Sequence, residues 1–312
     1  MDAFIELFDN YTFRTVLLGS VGIGAVSGAF GCFSYLRRQS LVGDVVSHSS
    51  LLGIMLVFLA SYWLTGQGSK SLYLLLPGAL MAGVAALLLT RWIVDRTPVR
   101  EDSGLGTMLA IFFGGGILLL RAVQSSRRVI PGRGGLQDFL FGMAASMTRD
   151  DLIMIAVIGS LSLVTLLLYW RQLKVVTFDP LFAHSVGFNT GFLNVLLIML
   201  MVNSIVIGIQ CVGVILMIAL LVSPAAAARQ WTNSLGGMVG LSACFGGFAG
   251  ATGSIVSALI AKMPTGPVIV LAGVAIFVFS ILFAPRRGVI VTKWNRQRVR
   301  MTASFSGDGA DQ

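Results

Sequence analysis

Uninterrupted apolar runs of about 18 to 22 residues recur along this chain, and a helix rising 1.5 Å per residue needs about that length to cross 30 Å of hydrocarbon. The runs read as 15–35, 47–64, 72–92, 104–121, 151–169, 191–208, 211–228, 236–260 and 266–284, nine in all. The division between the sixth and seventh is the least marked, because no charged residue separates them. Over 312 residues, 56% hydrophobic and only 11% charged, there are too few charges to cover a soluble surface. The expected fold is all-α: a polytopic transmembrane helical bundle of about 8–10 spans. The first ten residues, MDAFIELFDN, carry no basic residue, so they lack the positive start of a cleavable signal and the first span is expected to stay.

The net charge of +9 does not point to nucleic acid, because the basic residues collect in loops and in the C-terminal tail. With the N-terminus outside and the C-terminus inside, the cytoplasmic side holds 14 of them and the outer side 8. Most of the outer ones lie in 121–150, whose apolar stretch DFLFGMAASM is too short to span and reads as a piece that dips in and returns. Residues 1–288 form one membrane-embedded domain on this reading, and 289–312 a basic, flexible tail. Cys32, Cys211 and Cys244 lie in or beside apolar segments with no CxxC pair, as small apolar packing residues would. Glycines four apart, Gly24 and Gly28 in the first run and Gly246 and Gly250 (with Gly253) in the eighth, suit close approach of helix backbones.

Of the 13 acids, all but one sit in loops or tails. The exception is Asp44, in SLVGDVVSHSSLLG (Ser40–Gly53) at the start of the second span, with His48 four residues later. On a helix, residues four apart share a face, so a carboxylate oxygen and an imidazole nitrogen point together. That donor pair suits Zn²⁺, Mn²⁺ or Fe²⁺, and ionisable groups at this depth are costly unless used. The same spacing also fits a helix-start Asp stabilised by the helix dipole with a locally bonded His.

TFDPLFAHSVGF (Thr177–Phe188), between the fifth and sixth spans, reads as a short capped helix of about two turns. Asp179 suits the N-cap, Pro180 the first helical position and Gly187 the left-handed stop. It is either a docking element or an amphipathic connector, with His184 on its surface. GQGSKS (Gly66–Ser71) lacks the spacing of a phosphate-binding loop, and no HExxH or paired Ser and His supports hydrolysis.

LRRQSLVGDVVSHSSLLG closely resembles the signature of the permease subunits of bacterial ABC importers for zinc, manganese and iron. VGVILMIALLVSPAAAA (Val212–Ala228), DFLFG (Asp138–Gly142) and EDSGLGTMLAIFFGGGILLL (Glu101–Leu120) resemble further stretches of that family, so the likeness runs almost the whole chain. It implies an ABC importer permease fold in the bacterial plasma membrane and a transport subunit rather than an enzyme, with ATP hydrolysed in a separate cytoplasmic ATP-binding subunit. It further implies pairing with a second copy or a related permease, and delivery of metal by an extracytoplasmic metal-binding protein. No permanently bound cofactor is implied; the metal is cargo. Asp44 and His48 match the motif positions that would line the metal path, and Asp179, Pro180, Ala183 and Gly187 match the loop that inserts into the ATPase. One Asp and one His from each of two copies would then make four ligands at the dimer axis. The tail after Val289 is longer than the family's, and no role carries onto it. Two rivals remain at this point: a permease for a metal chelate such as a siderophore, and an ion-driven secondary metal transporter, which would want more intramembrane acids than one.

Overall fold

The computed structural model describes residues 10–285 and Gly288, apart from 38–39, 70, 127–129, 137–139, 141, 143, 145–146 and 261–262. The tail from 289, Asp138 and most of DFLFG lie outside the described residues. Among those described, all regular structure is helical. In chain order the helices are α1 (Tyr11–Leu36), α2 (Ser40–Thr65), α3 (Leu72–Arg96), α4 (Glu101–Ser125), α5 (Arg149–Leu168), α6 (Trp170–Phe178), α7 (Pro180–Ser185), α8 (Thr190–Val212), α9 (Met217–Trp231), α10 (Leu235–Leu259) and α11 (Thr265–Phe283).

Eight of these are long and apolar enough to cross a bilayer. The seventh apolar run is the one that falls short. Its first residues close α8, Gly213 turns with φ of 88°, and the helix resumes only at Met217. The remaining α9 has 15 residues, about 22 Å of helix, less than the hydrocarbon thickness. Backbone groups freed by the break find distant partners, as lipid surroundings demand. Ile215 N donates to Leu140 O at 3.3 Å, and Gly142, at φ of 91°, lies against the Cys211 and Val212 backbone.

Two groups of helices build the body. In one, α1 packs along α10, with α9 and α11 beside them. Here the glycines act as their spacing predicts: a Cβ at Gly24 would meet the Gly246 carbonyl, and one at Gly28 the Ser242 carbonyl. Ser242 Oγ closes the contact by donating to Gly28 O at 2.7 Å. Cys32 and Cys211 are buried, Cys32 Sγ lying 3.5 Å from Met238 O and Cys211 Sγ 3.2 Å from Ser20 Oγ. Cys244 is exposed on α10, so it does not pack inside the chain. In the second group, α2 packs between α3 and α4, and α8 joins both groups. Large apolar side chains such as Met81, Leu118, Leu161 and Leu271 point outward, as lipid contacts require. Trp63 and Tyr73 flank one end of the α2–α3 hairpin, while Trp92 at the other carries the Arg96 guanidinium 5.4 Å from its ring centre, an arrangement typical of membrane interfaces.

Candidate metal path and coupling surface

The segment that precedes and follows His48 is polar for a membrane helix, yet most of it is satisfied locally. Ser47, Ser49 and Ser50 are buried, and each hydroxyl donates to a carbonyl one turn back: to Gly43 O, Val45 O and Val46 O. The three serines therefore cost little and remain helical. Asp44 and His48 are different. They stand four and eight residues from the start of α2, about 6 and 12 Å along its axis, on one face. Both are half-buried. His48 Nδ1 is enclosed and has no hydrogen-bond partner, so Nε2 is the nitrogen through which the ring can reach a cation. His48 borders α4, where the His48 and Phe113 rings meet edge to face, with centroids 4.4 Å apart. For the dipole-and-local-bond alternative, Nδ1 supplies no local bond.

Two donors do not complete a transition-metal site. Among the described residues no cluster of three or more His, Cys, Asp or Glu side chains could hold a metal ion. The acids nearest the same end of the bundle line a separate cavity of about 370 Å³ between α2, α3, α4 and α8, with Arg91, Asp95, Glu101 and Asn194 on its walls. Neither Asp44 nor His48 lines it. Arg37, at the end of α1, has its guanidinium pushed down from its ordinary pKa by burial and then by the positive charge of Arg91.

The second sequence-predicted feature is also formed. Asp179 Oδ1 accepts from Phe182 N at 2.9 Å, Pro180 opens the helix, and Gly187 takes φ of 90°. The end is closed by Gly187 N donating to His184 O and Phe188 N to Ala183 O, both at 3.0 Å. The helix is shorter than two full turns, six residues. Ala183 is fully buried and pins it to the body, while Leu181 (85% exposed), Phe182 and Val186 stand clear. His184 is exposed, as expected. Sequence reasoning missed α6, which continues from α5 and presents buried Leu173 and Val176 on one side. The apolar spacing of those two residues was the available signal.

The chain as a whole is similar to known proteins. A model of the ABC 3 transport family matches residues 9–284. The chain is 42% identical over 301 residues to the zinc transport system membrane protein TroC of Treponema pallidum (strain Nichols), covering 96% of this chain and 98% of that one. It is 40% identical over 289 residues to the manganese transport system membrane protein MntC of Bacillus subtilis (strain 168), covering 93% of this chain and 65% of that protein. Among solved structures, it is similar to a chain of PsaBC from Streptococcus pneumoniae in complex with Fab, with a TM-score of 0.80, 30% identity, and coverage of 94% of this chain and 100% of that one. With the family model spanning nearly all of the membrane-embedded helices, the chain belongs to the ABC 3 transport family.

Proposed function

We propose that this chain is the membrane-spanning permease subunit of an ATP-driven importer of divalent transition metal ions, Mn²⁺, Zn²⁺ or Fe²⁺, in a bacterial plasma membrane. The observation that carries the proposal is the Asp44–His48 pair on α2, one oxygen and one nitrogen donor on the same face, with no third such ligand gathered beside them among the described residues. A carrier must release its ion, and a site shared between two copies, two donors from each, can form and open as the copies move. The uncovered side of α4 supports that pairing. At Gly106 and Gly114 a Cβ would meet nothing within 4 Å, so a second copy could come close beside His48. Relatives named for zinc and for manganese transport are consistent with this donor pair.

The exposed apolar surface of α7 is the docking element for a cytoplasmic ATP-binding subunit, and an extracytoplasmic metal-binding protein delivers the ion. The N-terminus is outside and the C-terminus cytoplasmic, following the basic residues. A bare ion is favoured over a chelate because the pair lines neither of two cavities of about 370 and 450 Å³, whereas a siderophore would need such a space around its ligands.

Uptake of radiolabelled manganese or zinc into proteoliposomes holding the complete importer tests the assignment. Asp44→Ala and His48→Ala should each lower uptake at limiting metal by at least about 100-fold, beyond the usual cost of disturbing an outer-shell partner. Unchanged transport in both variants would sink it. Competition by a siderophore, in place of the bare ion, would favour the chelate reading.

A further inference from the structure

A metal-ligating histidine ordinarily donates its second ring N–H to a carboxylate or a carbonyl, which fixes the ring's orientation. His48 has no such partner. Its Nδ1 is buried without a hydrogen bond, and the group packed against its ring is the phenyl of Phe113, at 4.4 Å between centroids and 64° between planes. The glycines that follow Phe113 explain how the two rings come together. At Gly116 a Cβ would stand 2.9 Å from the Leu52 backbone nitrogen and 3.1 Å from Leu51 Cγ, and at Gly115 one would stand 3.3 Å from Leu52 Cδ1. Only residues without a Cβ let α4 lie this close to α2. Phe113 precedes Gly116 by three residues and His48 precedes Leu51 by three, so the ring contact and the backbone contact stack one turn apart on the same helix pair.

We propose that Phe113 is a positioning residue for the metal path: its ring takes the place of the usual hydrogen-bond acceptor and holds the imidazole of His48 with Nε2 turned toward the cation. An edge-to-face aromatic contact is directional enough for this, and the enclosed Nδ1 leaves the ring one productive orientation. The inference rests on the reading that His48 ligates the transported ion.

The test is Mn²⁺ binding to the complete purified importer, read both as a dissociation constant and as nitrogen hyperfine coupling in the electron paramagnetic resonance of bound Mn²⁺. The variants are Phe113→Leu, Phe113→Tyr, His48→Ala and the double variant His48→Ala/Phe113→Leu. Phe113→Leu should weaken Mn²⁺ binding about tenfold, as loss of an orienting partner does, and should lose the nitrogen coupling. Phe113→Tyr, which keeps the ring, should stay within about twofold of the wild type, and Phe113→Leu should add no further loss once His48 is gone. Equal weakening with and without His48 would make Phe113 a packing residue only and overturn the proposal, as would unchanged affinity and coupling in Phe113→Leu. Failure of the underlying reading looks different: His48→Ala would itself keep both the affinity and the nitrogen coupling. If Phe113→Leu does not assemble, Phe113→Met enters the same cycle in its place.

Discussion

Glycine does opposite work in two parts of this molecule. Along α1 and α10 it is spent on contacts inside the chain: a Cβ at Gly24, Gly28, Gly246 or Gly250 would each run into a carbonyl of the opposite helix. Along α4 the account is mixed. Gly115 and Gly116 bring α4 onto α2, but a Cβ at Gly106 or Gly114 would meet nothing within 4 Å among the described residues. The residue type is the same, but the glycines of the seam stand four apart whereas Gly106 and Gly114 stand eight apart, and the presence of a neighbour differs. The α1–α10 seam is therefore scaffold within one copy, whereas part of the α4 face has no such contact among the described residues and lies next to α2, the helix that carries Asp44 and His48.

Substituting the glycines is the strongest way to break this contrast. Gly246→Val should cost at least about 3 kcal/mol, the upper end for overpacking a close contact, and should remove folded chain from a detergent melting experiment. A melting temperature unchanged from the wild type would dissolve the seam. The parallel change on the open face, Gly114→Leu, should leave the single chain's melting within about 0.5 kcal/mol, as for surface positions. It should nonetheless reduce two-copy assembly measured by light scattering. Wild-type assembly would mean that α4 is not the meeting face.

Smaller effects sharpen the account at the coupling surface. Leu181→Asp places a charge on the most exposed apolar residue of α7 and should weaken co-purification with the ATP-binding subunit by about tenfold, the scale of a modest interface hot spot. Asp179→Ala should be the mildest, removing an N-cap worth about 1 kcal/mol. ATP-driven uptake should slow while the Mn²⁺ dissociation constant of the permease stays unchanged; a changed constant would mean that α7 reaches the metal path directly.

What could be read from the chain and what could not divides along local and non-local physics. The spans were legible because hydrocarbon thickness imposes a length on each run, and α7 because Asp179, Pro180 and Gly187 each satisfy a local backbone need. The pairing of Gly24 with Gly246 was legible as spacing but not as partnership. The break after α8 was legible only weakly, as the division between the runs 191–208 and 211–228. Gly213 is one of 37 glycines in the chain, no charge marks the interruption, and the Leu140 carbonyl that receives Ile215 N lies 75 positions earlier. Phe113 was hidden for the same reason, being one of 20 phenylalanines whose meeting with His48 depends on how closely α4 approaches α2. Asp44 and His48 were legible as a pair, since spacing of four on a helix is a local fact. Their enclosure, and the absence of a third donor among the described residues, required the packed structure.

The central claim is that the pair on α2 is half of a metal site shared by two copies. Equilibrium dialysis of the purified two-copy permease against Mn²⁺ tests it most directly, because stoichiometry separates a shared site from a private one. One ion bound per two chains, lost in Asp44→Ala/His48→Ala, is the expected result; one ion per chain, or binding that survives the double substitution, would contradict it.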